Sequence, residues 1–310
     1  MIKTRENITR LWGKYSLWMI QADLLVLFIL LVTTGCEISR SVPLDRPVYK
    51  PQLVIQCLAS PQSGAEAIIR YNRPLVGENA KIPSLPRMEV YLLREDDRFH
   101  TFSQDSTDRF SIAASDLLLE AETDYALEVR DLDNERVYTS GGSRLPDRPV
   151  LLSVNAVPVT GYENQYALEI NLGPSDHPVE AIAVFPVLLD SMGQPAERLS
   201  EWDIQKVTPW KKVSSGIQYV NEEAWSDKKL LYRNSRNYFD EEENVVWANE
   251  LVVYVSYLSR DLSRFVRDVS DLYFSGEDIF EPSRPVYSNI QNAAGIFGIY
   301  NEVRREVKIE

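Results

Sequence analysis

The 310-residue sequence predicts a mainly β protein built as two β-sandwich-like domains, the second with one amphipathic helix near its C-terminal end. Three observations lead there. Short apolar runs of strand length alternate with turn-forming clusters, without long helical patterns between them. The segment Pro146-Asp147-Arg148-Pro149 divides the body, because prolines at both ends disfavour helix and remove backbone donors. A helical periodicity stands out after residue 260.

The first region, residues 51–146, reads as an N-terminal sandwich of immunoglobulin-like or transthyretin-like type. Leu53 to Leu58 and Arg87 to Leu93 are strand-like runs. Tyr125 to Arg130 is a third, and it passes through Asp131-Leu132-Asp133-Asn134 into Arg136-Val137-Tyr138-Thr139, a hairpin signal. The second region, residues 150–310, opens with Tyr166-Ala167-Leu168-Glu169-Ile170, which echoes Tyr125-Ala126-Leu127-Glu128-Val129. Glu250 to Leu258, rich in Val and Tyr, predicts a strand. After it, Leu262, Phe265, Val266, Val269, Leu272 and Tyr273 fall at i, i+3, i+4, i+7, i+10 and i+11. The spacing predicts a helix over about 260–274, capped by Ser259 or Asp261, ended near Gly276 and packed on a sheet.

Residues 1–35 have the parts of an export signal. Lys3, Arg5, Arg10 and Lys14 form a basic stretch, followed by nine apolar residues from Leu24 to Val32. At about 1.5 Å per helical residue, nine residues fall well short of the roughly 30 Å hydrocarbon layer. Gln21 and Asp23 interrupt any longer run. Thr33-Thr34-Gly35-Cys36 then resembles a bacterial lipobox, with Thr33 where a Leu is usual. Cys36 is the expected lipid-attachment residue, and its acyl chains would anchor the protein stably to a membrane. The competing readings are an ordinary signal peptide with a chance cysteine, and an uncleaved anchor. Residues 36–50, with Pro43 and Pro47, read as an extended tether.

Charge excludes one class of function. The leader carries its four bases against Glu6 and Asp23, so a whole-chain charge of −13 leaves −15 for the rest. A body this acidic repels nucleic-acid phosphates. Composition otherwise suits a globular chain, with 44% hydrophobic and 25% charged residues. The second cysteine, Cys57, lies in an apolar run and reads as a buried thiol.

No pattern carries catalysis. His100 and His177 lack companions at metal-ligand spacing, and no nucleophile elbow, phosphate loop or dinucleotide fingerprint occurs. The expectation is therefore no catalytic residue, no metal and no cofactor. Two acidic clusters, Asp131 to Glu135 and Asp240 to Asn244, lack the spacing of a calcium loop and read as turns. Beyond the leader, all tryptophans lie within 46 residues: Trp202, Trp210, Trp225 and Trp247. They are candidates for contacting a ligand or partner, or for packing a loop onto its own sheet.

Phe280-Glu281-Pro282, Val286-Tyr287-Ser288-Asn289-Ile290 and Gly295-Ile296-Phe297-Gly298 together resemble the closing signature of the DUF4249 family, lipoproteins of the Bacteroidota. Where members usually show Gly-Leu-Gly or similar, this chain has Ala293-Ala294-Gly295. Physically the signature reads as structural, with Asn289 satisfying its own backbone in a turn and Gly295 and Gly298 permitting bends. The resemblance implies an outer-membrane lipoprotein, often encoded beside TonB-dependent receptors. It points to a non-enzymatic accessory or ligand-capture partner of such a transporter. The alternative is a surface adhesin or structural module that binds glycan or matrix without one. The facing of the body, periplasm or cell surface, stays open at this level.

Overall fold

The computed structural model describes residues 50–73, 82–95, 97–121, 123–194, 217–222, 228–235, 237–239, 245–275 and 285–309. Most of these are in strands. The first half holds β1 (Leu53–Ser60), β2 (Gly64–Tyr71), β3 (Met88–Arg94), β4 (Asp97–Thr101), β5 (Ser103–Ser106), β6 (Arg109–Ile112), β7 (Asp124–Asp131), β8 (Arg136–Thr139) and β9 (Ser143–Arg144). The second half begins with β10 (Leu151–Val159), β11 (Tyr162–Leu172), β12 (Val179–Leu189), β13 (Ile217–Glu222) and β14 (Lys228–Ser235). It continues through β15 (Asn237–Phe239), β16 (Val245–Trp247), β17 (Glu250–Leu258), helix α1 (Arg260–Ser275) and β18 (Ala294–Lys308). The mainly β fold with one helix near the C-terminal end is as the sequence predicts.

One eight-stranded sheet runs through the body in the order β13-β12-β17-β18-β1-β2-β6-β5. Its first-half strands face the sheet β4-β3-β7-β8, in which β9 also pairs with β7. Alternation decides what lies between them. Ile55, Cys57, Ala67 and Ile69 from one side meet Val90, Leu92, Leu127 and Val129 from the other, all buried. The second-half strands face the three-stranded sheet β10-β11-β14. There Ile182, Val184, Val253 and Val255 meet Leu168, Ile170 and Leu230. Two hydrophobic cores result, one on each side of the Pro146-Pro149 segment.

The large sheet nevertheless crosses that segment. β18 pairs in parallel with β1 from Val54↔Ala294 to Ala59↔Ile299. It pairs antiparallel with β17 from Leu258↔Tyr300 to Glu250↔Lys308. A strand from the second half is thus seated beside the first strand of the first half, and Tyr49–Glu310 form one compact unit.

On the opposite face of the large sheet, α1 covers a third core. Leu262 and Val266 pack there with Ala181, Ala183, Phe185, Leu258, Ile296 and Tyr300, and Phe265 lies partly buried against them. These three residues, Leu262, Phe265 and Val266, are the first part of the apolar stripe that the spacing predicts, and the side chains of Leu272 and Tyr273 lie outside the described ones. The expected cap differs in detail. Ser259 accepts from Ser263 through its backbone carbonyl, at 2.9 Å, while its hydroxyl accepts from the Ile299 amide at 3.2 Å. The side chain that could have capped the helix ties it to β18 instead.

Two glycines let β18 take this central place. Gly295 has φ +127°, and a Cβ there would collide with the carbonyl oxygen of Ile55 on β1. At Gly298 a Cβ would come within 2.8 Å of Leu262 Cβ on α1. Gly295→Ala is expected to cost more than about 2 kcal/mol, combining backbone strain with overlap against a buried strand. Urea unfolding measures this, and an unchanged midpoint would mean that β1 and β18 do not approach so closely.

Candidate functional site

The signature residues that approach β18 fold into one hydrogen-bonded brace. Tyr287 donates its hydroxyl to Asp261 Oδ1 at 2.8 Å, and its backbone amide to Asp268 Oδ2 at 2.7 Å. Asn289 Nδ2 donates to Asp261 Oδ2 at 3.0 Å and to the Phe297 carbonyl at 2.9 Å. Its Oδ1 accepts from the Phe297 amide at 2.9 Å. The Asn289 side chain therefore acts as a strand partner for Phe297, eight residues on, and does not satisfy its own backbone in a turn. Ser288 Oγ accepts from the Gly295 amide at 3.1 Å. Burial and hydrogen bonding to Asp261 both raise the Tyr287 pKa, so its hydroxyl stays a donor. The brace holds α1 against the entry to β18, a structural task.

Further along β18 lies a polar seam. Glu302 is only 6% exposed, and its Oε1 accepts from Ser63 Oγ at 2.5 Å in the turn between β1 and β2. Gln62 in the same turn donates to Asn301 Oδ1 at 2.9 Å, and its Oε1 accepts from the Glu302 amide at 3.2 Å. Asn301 Nδ2 then donates to the Pro146 carbonyl at 3.1 Å. Ser256 faces Glu302 in register across β17 and β18. Glu302 Oε2 and Ser256 Oγ are buried without a hydrogen-bond partner. Burial dominates and raises the Glu302 pKa, against smaller opposing pulls from Ser63, the Arg304 charge and the nearby Ser256.

A second polar group clamps the segment that divides the two cores. Asp147 accepts from Ser175 Oγ at 3.1 Å and from the His177 amide at 3.0 Å. His177 Nδ1 lies 2.9 Å from Asp147 Oδ1. Burial opposes ionisation of Asp147, but these hydrogen bonds and the His177 charge together lower its pKa below the ordinary carboxylate value. An ionised carboxylate only accepts, so Nδ1 carries the proton. Serine, histidine and aspartate meet here, but not as a nucleophilic triad. The single Ser175 hydroxyl proton is shared between the carboxylate and the His177 carbonyl, so the imidazole does not activate it. Beneath the clamp, burial and the Asp147 charge push the Tyr257 hydroxyl up to about 12.

The residues singled out from the sequence divide into two groups. Cys36, Trp202, Trp210, Trp225 and the cluster Asp240 to Asn244 lie outside the described residues. Trp247 is on β16, 41% exposed, and Val245 two residues before it is 55% exposed. Cys57 is fully buried, and burial raises its thiol pKa, with the Glu66 charge adding to the effect. His100 rests edge-on against Phe99 at 4.2 Å. Asp131 spends its oxygens on the turn: Oδ1 accepts from the Asp133 and Asn134 amides at 3.1 and 3.0 Å, and Oδ2 from Asn134 Nδ2 at 2.8 Å. Among the described residues no three His, Cys, Asp or Glu side chains are grouped to hold a metal, and no helix is long and apolar enough to cross a membrane.

Sequence reasoning passed over Glu302 and Asp147. For Glu302 the available signal was position: it shares a strand face with Tyr300, two residues from it, in a run that is mostly apolar. Asp147 stood in a segment read only as a divider, and its partners come from a turn nearly thirty residues later.

These features define a class: a β-rich body of two sandwiches sharing one sheet, braced by a short helix and its following segment. The chain belongs to the DUF4249 family, whose model, described as a domain of unknown function, matches residues 40–306. No curated protein matches the chain.

The raised pKa of Glu302 gives a signed expectation. Its contribution to stability is complete below the ordinary Glu value of about 4.3 and is lost as pH rises toward the raised value. Glu302→Gln removes the ionisation. Its stability relative to the parent should therefore rise with pH from about 4 upward and then level off. Denaturation midpoints across pH test this, and a difference independent of pH would place the Glu302 pKa at its ordinary value.

Proposed function

We propose that this chain is a non-enzymatic outer-membrane lipoprotein that works as an accessory or ligand-capture partner of a TonB-dependent transporter. The observation that carries the reading is the order of basic stretch, short apolar run and Thr33-Thr34-Gly35-Cys36 ahead of a long β-rich body. Lipid on Cys36 would restrict that body to the membrane surface, where its location contributes to its work. Family membership supports the transporter half of the reading, through the receptors that the resemblance associates with such chains. Two described carboxylates weighed for chemistry are occupied structurally, Asp131 by its turn and Asp147 by its clamp.

Copurification from detergent-solubilised membranes tests the partnership. The expected outcome is recovery of the chain with a TonB-dependent receptor; consistent recovery alone overturns it. Cys36→Ser should move the chain from the membrane fraction to the soluble fraction or leave it as an unprocessed precursor. Unchanged fractionation and mass would remove the lipid from the reading.

A second reading, an adhesin that binds glycan or matrix without a transporter, draws on Trp247, whose exposed ring on β16 could stack against a sugar. Glycan binding that persists in cells lacking the receptor, and weakens in Trp247→Ala, would favour it.

A further inference from the structure

Three cores depend on alternate residues of one strand. Phe297 and Ile299 of β18 enter the first sandwich core. Val307 and the adjoining Ile309 enter the second, with Val303 packed against them. Ile296 and Tyr300, pointing the other way, pack beneath α1. The polar attachments converge on the same strand. Ser63 and Gln62 of the first half, and Pro146 of the dividing segment, are all hydrogen-bonded to Asn301 or Glu302.

Removing β18 would leave the facing edges of β1 and β17 without their shared neighbour in the middle of the large sheet. β1 would lose its whole parallel ladder, and β17 its antiparallel ladder from Glu250 to Leu258. Both edges are lined with apolar side chains, so neither is suited to exposure. The first sandwich would also be left with Phe297 and Ile299 missing from a core that is otherwise closed. The first sandwich is not complete with its own half of the chain, and the second is not complete before its last strand.

We propose that the two sandwiches fold as one cooperative unit closed by β18, so the body stays unfolded until residues 294–309 are available. An export channel of the unfolded-chain type would then receive a body that has not folded prematurely. That last consequence rests on the export reading, whereas the cooperativity does not. A chain retained in the cytoplasm would count against export and leave the folding measurement below unaffected.

The test makes a change in one sandwich and reads the other. Leu127 on β7 is buried in the first core and lies on the sheet that does not contain β18. In the full chain, Leu127→Ala should speed hydrogen exchange of the slowest amides by on the order of 100-fold. The same factor should appear in the first-half strands and in β11, β12 and β17. Acceleration confined to the first half overturns the proposal. If Leu127→Ala does not fold, Ile69→Val on β2 serves with a smaller factor, about fivefold. The reciprocal reading uses Cys57, which is buried in the first core. Val307→Ala, in the second core, should speed Cys57 labelling in a Cys36→Ser chain by the factor seen in second-half exchange. A parental labelling rate would show that the sandwiches open independently.

Discussion

The parallel pairing of β1 with β18 is the constraint on which the rest of the body depends. Parallel neighbours need a long connection, and here it spans nearly the whole described chain. The contact is possible because position 295 has no Cβ to meet the Ile55 carbonyl. Once that approach is made, β18 can continue past the end of β1 and pair with β17. The large sheet then runs from one sandwich into the other without an edge between them.

Three layers follow from the period of two along the strands. On β12, Ile182 and Val184 face the second sandwich while Ala181, Ala183 and Phe185 face α1. The small alanines leave room for the helix, as Gly298 does on β18. Polar side chains secure the helix where apolar packing ends, through Asp261, Tyr287 and Asn289 at one side and the Ser259 hydroxyl at the other. The seam around Glu302 marks where this cover stops. There the helix-side face of β18 changes from the apolar Ile296 and Tyr300 to the carboxyl group of Glu302.

Local features were legible in the sequence where the signal itself was local. Glu250–Leu258 and Arg136–Thr139 coincide with observed strands because β-branched and aromatic residues and an Asp-rich turn act within a few positions. Helix α1 follows from its apolar spacing. The signature was recognisable as structural, but not its wiring: Asn289 reaches Phe297 only because the chain reverses at Asn292, where φ is +63°. Joining of β1 to β18 was not legible. Each strand has an ordinary apolar pattern, and nothing within either specifies a neighbour some 240 residues away. The candidate site shares this limit, since Glu302 and Asp147 acquire their character from partners distant in the chain.

Cys57 has a consequence for the chemistry of the folded protein. Disulfide exchange and stepwise oxidation both begin from an accessible thiolate. Cys57 is closed within the first core, and its burial disfavours that ionised form. In the oxidising compartment to which the export reading assigns the body, such a sulfur is redox-silent. It can neither staple two copies together nor draw the chain into mispaired adducts while the fold is intact. On the lipoprotein reading, covalent chemistry at sulfur would then be confined to Cys36.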